Sequence, residues 1–142
     1  MSPYRILSPR NTLACLVTAA ACANALAYDL TVEVLDARSD KGMVAGALYG
    51  SEATWLKQML QGERQPAGPR AVLVYRNLQP GHYALSLLHD ENGNGALDRN
   101  VAGTPTERYG FSRDAVGRMG PPAFADAAVD LQGDMTITVH LR

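Results

Sequence analysis

Asp90, Asn92, Asn94 and Asp98 carry side-chain oxygens at positions one, three, five and nine of a short run, DENGNGALD, with Gly95 at position six. Alternate residues on a tight turn converge their oxygens on one point, and a glycine permits the reversal. Calcium takes six to eight hard oxygens in flexible geometry, and amides serve it as well as carboxylates. The spacing is that of the first nine residues of an EF-hand loop, with the Ala96 carbonyl at position seven. Position twelve is Val101, so the usual bidentate Glu is missing. The preceding GHYALSLLH alternates as a strand, so the loop is not flanked by helices. A calcium ion here needs a last ligand from farther along the chain. Glu107 is the nearest later carboxylate and Asp114 the next. The expected metal ligands are therefore Asp90, Asn92, Asn94, Asp98 and Glu107.

The same residues also write a plain turn. Asn92-Gly93 and Asn94-Gly95 are both favoured type I′ pairs. Asn and Asp side chains also stitch loops by bonding their own backbone. That reading leaves Asp90 and Asp98 flanking the turn as like charges, whereas calcium gives both a role. Both readings stand at the level of sequence.

Other chemistry is thinner. His82, His89 and His140 form no H-x-x-x-H or H-x-H pair, so zinc is not expected. His89 is either a hydrogen-bonding neighbour of the loop or an ordinary strand-end histidine. There is no G-x-S-x-G elbow and no phosphate-binding loop. Ser112 has no histidine or aspartate at a spacing that suggests a triad. No enzymatic activity is expected. The alternative is a metal-dependent hydrolase using Asp90, Asp98 and Glu107, which needs an open coordination position and a cleft.

The elements that must hold this loop read mostly as strands. YDLTVEVL alternates, with Leu30, Val32 and Val34 on one side. MVAGALY, RAVLVYRNL, HYALSLLH and MTITVHLR continue the pattern, separated by Asp40-Lys41-Gly42, Pro80-Gly81 and Gly133-Asp134. Short strands at such spacing predict an all-β fold, an antiparallel β-sandwich of about seven strands. SEATWLKQML predicts one or two helical turns capped by Ser51, with Trp55, Met59 and Leu56 on one face. QGERQPAGPR reads as a polar loop. Asp90 to Asp126 reads as one long glycine-rich loop, of the kind usually held by something specific. Within it PPAFADAA predicts a short helical turn carrying Phe124 into the core.

The N-terminus has its own signature. Arg5 and Arg10 precede the apolar TLACLVTAAACANALA, which ends in Ala25-Leu26-Ala27. This is the pattern of a secretory signal peptide cleaved after Ala27, with residues 28–142 as one mature domain. The apolar stretch falls short of the roughly 20 residues of a membrane span, and the mature chain has no transmembrane segment. Both cysteines, Cys15 and Cys22, fall in the expected leader. The mature domain therefore has no disulfide and no thiolate chemistry. An exported, periplasmic or secreted location follows. The net charge of −1 and the absence of a Lys/Arg-rich run disfavour nucleic acid as a partner. The residues name neither a protein nor a small-molecule partner.

Many of these pieces together resemble the bacterial domain of unknown function DUF2141. They are Pro80-Gly81, Tyr83-Ala84, His89-Asp90, Asn92, Asn94-Gly95 and Leu97-Asp98. Farther on come Gly103, Pro105, Glu107, Tyr109-Gly110-Phe111-Ser112, Gly120-Pro121-Pro122 and Phe124. Thr104 stands where the family pattern has an aliphatic residue. The resemblance implies an exported β-sandwich similar to prealbumin-like or carboxypeptidase regulatory domains, and it implies no reaction. Within that pattern TPTERYGFS has two roles open to it. It returns over the asparagine loop and brings Glu107 as a ligand. Or Tyr109 and Phe111 fill the end of the sandwich, with Glu107 paired to Arg108 or Arg113.

Overall fold

The computed structural model describes residues 26–142. The leader expected at residues 1–27 lies almost wholly outside them. Eight strands form two sheets: β1 (Tyr28–Leu35), β2 (Met43–Tyr49), β3 (Gln61–Pro66), β4 (Arg70–Leu78), β5 (Gly81–Asp90), β6 (Tyr109–Phe111), β7 (Val129–Leu131) and β8 (Met135–His140). The first sheet has the order β4-β1-β8, and the second runs β3-β2-β5-β6 with β7 also paired to β5. One short helix, α1, spans Phe124–Ala127.

The alternation seen in the sequence builds the space between the sheets. Leu30, Val32 and Val34 of β1 meet Leu73, Tyr75, Val44, Leu48, Leu85 and Leu87 in one buried cluster. Each such side chain contributes about 1.5–3 kcal/mol when fully removed from water. The outward residues of the first sheet include charged pairs across strands, Glu33 with Arg70 and Asp29 with Arg76, beside the exposed Val72.

Four expectations need correction. The sandwich is not wholly antiparallel, because β8 returns beside β1 in parallel, Leu30 opposite Met135 through Leu35 opposite His140. QGERQP is a strand, β3, rather than a loop. It pairs with β2 from Met43↔Pro66 to Leu48↔Gln61, and as an edge strand it shows water a polar surface. The SEATWLKQML segment forms turns instead of a helix, since Leu56 adopts φ of 55° and breaks the register. Ser51 still caps the first turn through Thr54 N–H, but Met59 is left exposed. Finally, Phe124 does not enter the space between the sheets.

Phe124 joins a second cluster on the outer face of β5, with Ala84, Phe111, Ala127, Trp55 and Tyr109. Trp55 sits at its centre, with ring centroids 5.0 Å from Tyr49, 5.9 Å from Phe111 and 6.0 Å from Phe124. Its indole N–H donates to the Pro122 carbonyl at 2.9 Å. The long segment after Asp90 is thus folded back over the second sheet as a covering layer. Ser112 fastens that layer where β5 has no neighbour between β7 and β6. Its hydroxyl accepts the Leu85 N–H at 2.9 Å and donates to the Ala127 carbonyl.

Candidate functional site

Strand β5 ends in His89 and Asp90, and both are buried. The His89 ring lies on the inner side of the second sheet, opposite Val44. Its Nδ1 accepts the Arg38 N–H at 3.2 Å, and its Nε2–H donates to the Lys41 carbonyl at 2.8 Å. The two partners select the neutral Nε2–H tautomer. His89 is therefore a clamp on the β1–β2 connection.

Asp90 is 1% exposed and turns the chain that follows it. Its Oδ1 accepts the N–H of Gly93 at 2.8 Å and of Asn94 at 3.1 Å, and its Oδ2 accepts that of Gly95 at 2.9 Å. Gly93 and Gly95 reverse the chain with φ of 76° and 78°. Asn92 and Asn94 are not among the residues with positive φ, so the expected type I′ turns, which need it at both central positions, do not form. Instead their side-chain oxygens accept the N–H two residues on, from Asn94 at 3.0 Å and Ala96 at 2.8 Å. Their amide nitrogens then converge on Asp98, where Asn94 Nδ2 reaches Oδ1 at 2.7 Å and Asn92 Nδ2 reaches Oδ2.

Glu107 closes the loop from sixteen residues beyond Glu91. It is 6% exposed. Its Oε1 accepts the Glu91 N–H at 3.0 Å and its Oε2 the Asp98 N–H at 3.1 Å. The Thr106 N–H adds a bond to the Asp98 carbonyl at 2.8 Å. TPTERYGFS therefore returns over the asparagine loop, where Glu107 meets backbone N–H groups. The pairing of Glu107 with Arg108 or Arg113 does not occur: Arg108 donates to the Asp36 carbonyl and Arg113 to that of Ala128. Asp114 is elsewhere, bonded to the backbone and ring of His140.

Arg64 is a participant that the sequence hid. Strand β3 carries its guanidinium to 3.9 Å from Asp90 Oδ2, and it overlies Gly95. No apolar alternation marks β3, so nothing in QGERQP advertised a strand. Arg38 and Ser39 hold Glu91 in turn, at 3.4 Å and 3.0 Å.

The residue types suit calcium, and Asn92, Asn94 and Glu107 each bond to Asp98 in the loop that Asp90 turns. In the arrangement described, however, the carboxylate oxygens of Asp90 and Glu107 face backbone N–H groups. The two amides show nitrogen to Asp98. Among the described residues no three Asp, Glu, His or Cys side chains surround a common point. An ion entering here requires the Asn92 and Asn94 amides to turn oxygen toward Asp98, giving up four hydrogen bonds, two to Asp98 and two from the loop backbone. The like-charge objection to a plain turn also falls away, because Asp90 and Asp98 have separate sets of donors.

Residues 32–138 match the family model described as "uncharacterized protein conserved in bacteria (DUF2141)". The chain belongs to this family. The match runs from β1 into β8 and takes in the whole loop, so the clasp of Asp90 and Glu107 lies inside the DUF2141 region. No curated protein and no solved structure matches the chain. Among the described residues no helix is long and apolar enough to cross a membrane.

Proposed function

We propose that this DUF2141 chain is an exported, non-enzymatic β-sandwich module, prealbumin-like in architecture, that acts as a binding or accessory domain of the cell envelope. Residues 1–27 are its cleaved leader and residues 28–142 the mature domain. The Asp90 loop is a clasp that calcium tightens. One observation carries this reading: Glu107 returns to the loop that Asp90 turns and accepts the N–H groups of Glu91 and Asp98, so the five oxygen-bearing residues border one clasp. Asp98 supports it further, since its carboxylate faces two neutral amides and has no cationic side-chain partner among the described residues. The burial of Asp90 and Glu107, with their oxygens engaged by N–H groups, supports a structural role over a hydrolytic one. A general base or an open metal centre needs a free oxygen facing a cleft.

A specific observation favours a second reading, a clasp without metal: five backbone N–H groups already occupy the Asp90 and Glu107 carboxylates. Melting curves in EDTA and in excess calcium separate the two. A site with a dissociation constant of about 10 μM gains about 2.7 kcal/mol at about 1 mM calcium. That gain raises the melting temperature on the order of 10 °C for a domain of this size. Asp98→Ala should abolish the rise. Equal melting temperatures within about 1 °C in the two buffers would leave the metal-free clasp standing.

A further inference from the structure

A groove of about 590 Å³ opens on the outer face of the second sheet, beside the clasp. Its floor is the paired stretch of β5 and β6, where Leu88 lies opposite Tyr109 and Ser86 opposite Phe111. Leu97 and Pro105 line it from the loop side, and Leu56 and Pro121 from the covering layer. Its size is within the roughly 300–1,000 Å³ of small-molecule sites. Met119, which also lines it, is fully exposed, and the neighbouring Val116 and Leu56 are exposed as well. Apolar side chains left in water beside an apolar groove mark a surface that a partner covers.

The charge in the groove narrows the partner. Arg99 and Arg118 both line it, and no lining residue is acidic. Arg38, Arg64, Arg70 and Arg76 each have a carboxylate partner elsewhere. Among the described residues Arg99 and Arg118 have none, and Arg108, Arg113 and Arg142, which also lack one, lie outside the groove and donate to the carbonyls of Asp36, Ala128 and Ala115. Arg99 spends one nitrogen on the Gly103 carbonyl at 2.9 Å, which fixes the guanidinium against the loop. Two unpaired guanidinium groups in an apolar trough of a chain with net charge −1 are matched to one ligand chemistry.

We propose that this groove binds a small amphipathic anion, a long-chain carboxylate whose head pairs with Arg99 and Arg118 and whose hydrocarbon lies on Leu88, Tyr109 and Leu97. The proposal rests on the binding-module part of the function above and not on calcium.

The test uses the purified mature chain in EDTA, so that a failure of the calcium reading leaves it intact. Dodecanoate, below its micelle concentration, is titrated calorimetrically against dodecyltrimethylammonium and octanoate. Trp55 is the only tryptophan in the chain. It packs on Phe111 of the groove, so its emission reports occupancy. Dodecanoate should bind at a single saturable site with a change in Trp55 emission. Octanoate should bind more weakly, by up to about fourfold for each methylene no longer buried. Arg99→Glu and Arg118→Glu should each weaken dodecanoate by about tenfold or more while leaving the melting temperature unchanged. Equal binding of the cationic amphiphile, binding without a Trp55 response, or full affinity in both arginine variants would overturn the proposal. So would the absence of saturable dodecanoate binding.

Discussion

Replacing Asp90 tests whether the clasp stabilises the domain by itself. Asp90→Ala removes a carboxylate that is 1% exposed and accepts three backbone N–H groups, from Gly93, Asn94 and Gly95. A hydrogen bond to a charged group contributes about 1.5–3 kcal/mol. Three therefore bound the effect at about 4.5–9 kcal/mol. The freed N–H groups belong to exposed residues and regain water, so the expected net loss is about 3 kcal/mol. The Arg64 contact, at 3.9 Å and with Arg64 half exposed, adds little. Asp90→Asn is the sharper variant. It keeps one oxygen for Gly93 and Asn94 but turns an amide NH₂ toward the Gly95 N–H, donor against donor. About 2 kcal/mol should be lost. In urea, with a slope of about 2 kcal/mol/M, Asp90→Ala should lower the midpoint by about 1.5 M and Asp90→Asn by about 1 M. Both are measured in EDTA. Hydrogen exchange should show protection at Gly93, Asn94 and Gly95 in the parent chain and its loss in Asp90→Ala, with the β1–β4 ladder protected until global unfolding. A midpoint change worth less than about 0.5 kcal/mol, the usual effect of a surface substitution, would refute the argument.

Glu107→Ala should cost about 2 kcal/mol by releasing the N–H groups of Glu91 and Asp98, and limited proteolysis should then cut between Asp98 and Thr106. The buried Tyr75 hydroxyl has no hydrogen-bond partner. Burial, with smaller contributions from Glu63 and Tyr49, pushes its ionisation above the ordinary phenol value. Tyr75→Phe should therefore be neutral or stabilising by up to about 1 kcal/mol in thermal melts. A Cβ at Gly46 would stand 2.3 Å from that hydroxyl and 2.6 Å from Leu73 Cδ1. Gly46→Ala should cost about 1–3 kcal/mol, and Tyr75→Phe should recover part of it in a double-mutant cycle. The side-chain hydrogen bond and the charge of Asp114 raise the pKa of His140 above 6.5, and an NMR titration should fall back toward that value in Asp114→Asn. Burial pushes the Asp114 carboxyl up, but the bonds and charge of His140 outweigh it, so its net shift is downward from 3.8. The histidine contribution is complete below the unfolded pKa of 6.5 and is lost as pH rises through the higher folded value. The aspartate contribution is complete above 3.8 and is lost as pH falls through the lower folded value, which urea midpoints across pH will register.

Period-two alternation made β1, β4, β5 and β8 legible, because one face of each is buried and the side chains must obey the pleat. The asparagine loop and the pieces of the DUF2141 region were legible for a similar reason: residue type and short spacing state them directly. Strand β3 was hidden because an edge strand with no buried face has no apolar period. The one or two helical turns expected at Trp55 are cut short at Leu56, whose positive φ no local propensity foretells, and Trp55 packs on Tyr49, Phe111 and Phe124. Only the folded chain decided that β8 returns parallel to β1, that Arg64 reaches Asp90, and that the segment after Asp90 folds back as a layer leaving Arg99 and Arg118 over an apolar groove. Sequence determined which oxygens stand near one another along the loop, since turn geometry is local. Whether those oxygens meet N–H groups or an ion depends on the carboxylate brought by Glu107 and the guanidinium brought by Arg64 on the β3 edge, and distances across sheets are set by packing.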